Sequence, residues 1–163
     1  MNHPDPQKLL RQIRFWLAFF VVMLVLSGLT AFPVQTELNW LAQYNYLFPD
    51  SLRFWLENTT LAINETYAKH PQLAYGYDWL AFAHIVIGVA FIGPWRDPVR
   101  NIWVVEWGMI ACVLVPFLAF ICGPIREIPV FWRYIDTSFG VFGILPLWWV
   151  RRKIKLLEGI PVR

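Results

Sequence analysis

Charged residues fall in clumps along this chain and leave four apolar stretches between them. Phe15 to Thr36 runs 22 residues without a charge, Trp79 to Trp95 runs 17 and Trp107 to Ile125 runs 19. Each approaches the roughly 20 residues a helix needs to cross the hydrocarbon core of a bilayer. The fourth stretch, Thr137 to Val150, has only 14, so a span there must reach back through Asp136 and Arg133 to about Pro129. The pattern predicts an all-α, polytopic integral membrane protein, a single domain over 1–163. Its four transmembrane helices form a bundle and lie near 14–34, 79–95, 102–123 and 129–150, with one long loop at 35–78.

That loop carries its own helical signal. Asp50 or Ser51 is a capping residue, and Pro71 stops a helix that ends near Lys69. Leu52, Trp55, Leu56, Ile63 and Tyr67 follow helical spacing on one stripe, with Arg53, Glu57, Asn64 and Glu65 largely off it. The spacing predicts an amphipathic helix over 50–69, lying on the membrane surface or closing as a lid over the bundle mouth. Asn58 and Asn64 begin formal glycosylation sequons, which carry little weight without a eukaryotic secretory signal.

Composition reinforces the membrane reading. Hydrophobic residues make up 58% of the chain and charged residues 15%, against about 45–50% and about 25% in soluble domains. The mean hydropathy is +0.46. These values exclude a nucleic-acid module, a disordered tail and a disulfide scaffold. The net charge of +3 is explained by how basic residues distribute across a membrane. Lys8, Arg11, Arg14, Arg96, Arg100, Arg151, Arg152, Lys153, Lys155 and Arg163 flank one side, ten of the 14 basic residues, and Arg53, Lys69, Arg126 and Arg133 flank the other. By the positive-inside rule both termini are cytoplasmic and the 35–78 loop faces outward, as in a bacterial inner-membrane protein. Most of the ten Trp fall at proposed span ends, where indoles settle at headgroup level. Lys8 to Arg14 followed by an apolar run resembles a signal peptide, but the run exceeds the roughly 7–15 residues of a cleavable h-region, so span one is expected to be retained. Cys112 and Cys122 are ten residues apart in one span, about 15 Å along a helix and beyond disulfide reach. No Cys/His spacing suggests a metal.

Chemistry is sought among polar groups at membrane depth, which are costly and usually face the bundle interior. In span four, Arg133, Asp136, Gly140, Gly143 and Leu147 fall on one helix face; in span two, Tyr77, Ala81, His84, Gly88, Phe91 and Trp95 form a similar seam. Counting depth from the outer ends brings His84 and Asp136 to similar levels. Together they form a candidate acid–base pair, with Arg133 as an anion-binding guanidinium and Asp78, Tyr77 and Tyr134 as ligand-binding groups at the mouth. A purely structural reading of the same residues is an Arg133–Asp136 pair at i,i+3 with a neutral His84 bonded to a carbonyl. Glu106 is expected to pair with Arg96 or Arg100. Pro116 and Pro146 free the carbonyls of Cys112 and Phe142.

Haem b fits poorly, since it wants two axial ligands at matched depth. His3 and His70 lie outside the spans, and Met23 and Met109 sit deeper than His84. No cofactor or metal is expected. No nucleophile, metal set or phosphate loop is legible, so the expectation is a non-catalytic, lipid-binding or accessory module for an amphiphile or a larger membrane complex. Its partners are membrane lipids and, in the second case, other membrane subunits, but not nucleic acid. The alternative is a membrane enzyme acting on a lipid or isoprenoid, with His84 and Asp136 as acid and base.

Overall fold

The computed structural model describes residues 5–160; His3 and Arg163 lie outside them. All regular structure among the described residues is helical: α1 (Pro6–Leu29), α2 (Val34–Gln43), α3 (Asp50–Lys69), α4 (Tyr75–Ala90), α5 (Ile92–Arg96), α6 (Ile102–Ile125) and α7 (Val130–Glu158), with 3-10 turns at Asn45–Leu47 and Pro71–Ala74. Three stretches are long and apolar enough to cross a membrane: Pro6–Leu29, Pro71–Arg96 and Ile102–Ile125. Only 22%, 17% and 22% of these windows is buried within the chain, and Phe, Leu, Ile and Val side chains stand exposed along them. Such surface is what lipid solvates. The remaining long helix, α7, falls short on composition, because Arg133, Asp136 and the basic run from Arg151 share it with its apolar middle.

Two boundaries differ from the sequence reading. The first helix starts at Pro6, well before residue 14, because Asp5 and Pro6 form a start signal. The Asp5 carboxylate accepts the Gln7 N–H at 3.0 Å, and proline occupies the first helical position, where its missing N–H costs nothing. That helix ends at Leu29, not at 34. The Ala31 and Phe32 amides close i→i−3 bonds to Gly28 and Leu29, and Pro33 precedes a new helix, α2. The uncharged run thus covers a helix, a turn and the start of another helix.

The chain divides into two compact units, one made of the chain up to Val22 with the chain from Val89 onward, the other of Met23–Gly88. In the first, α6 and α7 form the most extensive helix pair. They run antiparallel in one register: Gly123 lies against Arg133, Cys112 against Gly140 and Gly143, Gly108 against Leu147, and Glu106 against Arg151. The turn between them is a complete Schellman motif, with Ile128 N–H on Gly123 O at 2.9 Å and Glu127 N–H on Pro124 O at 3.2 Å. Glu127 takes the left-handed position at φ 55° that such a turn requires. At the basic end, Leu9, Ile13 and Leu17 recur every fourth residue and are buried with Phe91, Pro94, Val105, Leu147, Val150 and Ile154. Arg14 Nε donates to Trp95 O at 3.2 Å and its guanidinium lies 5.3 Å from the Trp95 ring centroid; Trp16 meets Trp149 at 5.8 Å.

In the second unit, α2 packs on α3 through an amide network. Asn64 accepts from Gln35 at 2.8 Å and exchanges bonds with Asn39 at 3.2 and 2.8 Å. Asn64, half of a formal sequon, is thereby committed to packing. The predicted 50–69 helix is present as α3, but no side chain caps it: Pro49 stands at the cap position, and Asp50 pairs with Arg53. Its stripe turns inward at Leu56 and Thr60, both buried.

Candidate functional site

The six residues singled out in the sequence separate by unit. His84, Tyr77 and Asp78 belong to the unit Met23–Gly88, whereas Arg133, Tyr134 and Asp136 belong to the other.

On α4, Tyr77, Ala81, His84 and Gly88 repeat at three- and four-residue steps, and Ala81 and Gly88 are buried. His84 packs on α1 at Gly28, where any added Cβ would overlap the His84 Cβ. His84 Nδ1 lies 2.7 Å from Leu80 O. A carbonyl oxygen only accepts, so Nδ1 carries the proton and a neutral ring keeps Nε2 as its acceptor. This contact fixes the tautomer and leaves Nε2 as the nitrogen through which a proton could move.

On α7, the pair Arg133–Asp136 is not formed. Arg133 Nε instead donates to Ile128 O at 2.7 Å, and its stem lies over Gly123. The turn that reverses the chain offers a free carbonyl, and Arg133, one turn into the new helix, reaches it before it reaches Asp136. Asp136 makes no hydrogen bond or ion pair among the described residues. Tyr134 is exposed, with its ring edge-on to Phe120 at 5.5 Å. Glu106 bonds Arg151 Nε at 2.8 Å rather than Arg96 or Arg100, because the α6–α7 register brings Arg151 opposite it while Arg100 faces Asp97. Among the described residues no group of three or more His, Cys, Asp or Glu gathers as a metal site.

A concave feature lies on the Met23–Gly88 unit. An open groove of about 440 Å³ is lined by Asn58, Thr59, Ala62, Ile63, Thr66 and Tyr67 of α3, Leu73 of the following 3-10 turn, and Tyr77 of α4. Helical spacing explains the lining: residues 59, 62, 63, 66 and 67 fall on one face of α3. The chain then reverses at His70–Pro71 and returns Leu73 and Tyr77 to that face. Tyr67 and Tyr77 meet edge to face at 6.4 Å. The Tyr67 hydroxyl is buried without a hydrogen-bond partner. Its pKa is raised above the ordinary tyrosine value, first by burial and then by the Tyr77 hydroxyl and the Asp78 carboxylate. Asp78 itself sits in the first turn of α4, where a negative charge complements the helix dipole. The sequence singled out Tyr77 and Asp78 but not their partner Tyr67, which reads as one more apolar stripe position. The proline at 71, taken only as a stop, is the signal that the next helix folds back.

No protein-family model matches this chain, and no curated protein or solved structure shows significant similarity to it.

Proposed function

We propose that this is a four-span membrane protein with cytoplasmic termini that binds an amphiphile without catalysing its conversion, through the groove on its α1–α4 connection. The fourth span is α7. Its 29 residues reach about 43 Å, it lies antiparallel along α6 from Arg133 to Arg151, and α6 is itself long and apolar enough to cross. The face of α7 turned away from α6 is apolar, with Ile135, Phe139, Phe142 and Leu145 exposed. Asp136 and Arg133 lie near one end, where long polar side chains reach headgroups.

The groove carries the binding reading. It joins apolar walls to hydroxyl and amide groups, the mixture that fixes an amphiphile, and Leu73 and Tyr77 are also the opening residues of the candidate span Pro71–Arg96. A ligand seated there has water on one side and hydrocarbon on the other. The enzyme reading needs His84 and Asp136 to act together. The Leu80 bond leaves His84 Nε2 as the nitrogen for proton transfer, but no hydrogen bond or ion pair among the described residues joins it to Asp136. Docking against further membrane subunits gains little from the glycines, since Gly28, Gly108, Gly123, Gly140 and Gly143 already meet neighbours within the chain.

Lipids copurified in nanodiscs and identified by mass spectrometry test this function. Ala62→Trp, which fills the groove from an exposed helix position, is expected to lose an enriched lipid that His84→Ala and Asp136→Asn retain. An enriched lipid that survives Ala62→Trp, or a product that accumulates only while His84 is present, overturns the reading.

A further inference from the structure

We propose that the groove selects an uncharged lipid whose head carries a carbonyl oxygen, and that the Tyr67 hydroxyl donates to that oxygen. The inference rests on the groove reading above and adds the chemical class of the occupant. Its first support is the unsatisfied hydroxyl. A buried polar group without a partner costs about 1–3 kcal/mol, and such groups in folded chains ordinarily find protein, water or ligand partners. At Tyr67 no described group supplies one, and Tyr67 lines the groove, so the groove's occupant is the partner this inference assigns to it. The hydroxyl stays protonated at neutral pH, since burial and the neighbouring Asp78 both oppose its ionisation, and it is therefore a donor. What it lacks is an acceptor.

The second support is charge. None of the lining residues is ionised at neutral pH and none is basic; the carboxylate whose field reaches Tyr67 is Asp78. A phosphate head would enter without a guanidinium or ammonium to meet it and against a negative charge. The third is position. Leu73 and Tyr77 line the groove and also belong to the candidate span Pro71–Arg96, so a head among Thr66, Tyr67 and Tyr77 has its tail beside the start of that apolar stretch. An ester carbonyl of a diacylglycerol and a ring carbonyl of an alkylated quinone present the same acceptor, and the Tyr67–Tyr77 edge-to-face pair offers a ring face to the second.

The test uses the full-length protein in phosphatidylcholine nanodiscs. Dioctanoylglycerol, a decyl benzoquinone and dioctanoyl phosphatidate are titrated in turn, with binding read calorimetrically and melting temperature recorded with and without probe. At least one of the two neutral probes binds saturably, and the better one identifies the source. Phosphatidate, which adds a phosphate to the same acyl chains, binds at least about tenfold more weakly. Tyr67→Phe weakens the neutral probe about five- to tenfold, the worth of one hydrogen bond. It leaves the probe-free melting temperature unchanged or higher, because the deleted hydroxyl had no partner. Equal binding of phosphatidate, or a Tyr67→Phe variant that binds normally while Ala62→Trp does not, overturns the inference and leaves the groove reading standing. Saturable binding that survives Ala62→Trp, or no binding of any probe, overturns both.

Discussion

Single residues decide how closely these helices approach. Pro116 leaves the Cys112 carbonyl without its helical donor, and α7 meets that carbonyl with Gly140, where a Cβ would lie 2.5 Å from the oxygen. Backbone rather than a movable side chain is in the way, so Gly140→Ala is expected to cost about 1–3 kcal/mol, read as a lower melting temperature in detergent. Gly76→Ala is the control: nothing lies within 4 Å of that position, and its melting temperature should match or exceed that of the wild type. Tyr67 sets a pH dependence. The folded chain holds its proton more tightly than the unfolded chain, so above the ordinary value of about 10 the folded state binds more protons and stability falls as pH rises. Below that value the contribution is flat. Alkaline melts of the wild type should decline more steeply than those of Tyr67→Phe; parallel curves would show that this hydroxyl does not titrate differently on folding.

Among the elements, the α6–α7 hairpin has the most explicit logic. Its turn holds a glutamate in a conformation that costs a side-chain-bearing residue about 1–2 kcal/mol. Glu127→Gly relieves this and loses part of the gain to unfolded-state entropy, so the net expectation is about 0.5–1 kcal/mol of added stability in thermal melts. Arg133→Met keeps the stem over Gly123 but removes the donor to Ile128, and is expected to lose about 1 kcal/mol. The extent of helix 50–69 was legible, because Pro71 and an apolar stripe bound it, but its start was not: Asp50 or Ser51 reads as the cap, and Pro49 holds that position. Helix α2 was not, since Val34–Gln43 carries no buried residue and its packing runs through Asn39, Asn64 and Gln35, which read as loop polarity. The small-residue positions Gly28, Gly140 and Gly143 are visible in a sequence, but which neighbour each one admits is not. The partners of Arg133 and Glu106 depended on turn geometry and helix register, neither of which residue spacing encodes.

For the whole molecule, the proposed four-span topology, drawn from the charge asymmetry, has both chain ends on the cytoplasmic side and Lys69 opposite them. Reporter fusions at the carboxyl terminus and after Lys69 should give opposite signals; identical signals would mean an odd number of crossings and α7 outside the membrane. The six candidate site residues could be named from the sequence, but the groove could not, because its walls come from two helices brought together by the His70–Pro71 reversal. One last feature bears on how the protein is made. The unit at the basic end is assembled from the two extremes of the chain, and all of Met23–Gly88 is synthesised between them. Leu9, Ile13 and Leu17 leave the ribosome first, yet the buried Leu147, Val150 and Ile154 of their unit leave it among the last. During biogenesis the first helix must therefore wait in lipid or in the insertion machinery with its packing face unfilled, and a nascent chain interrupted before α7 would display that face to quality-control proteases.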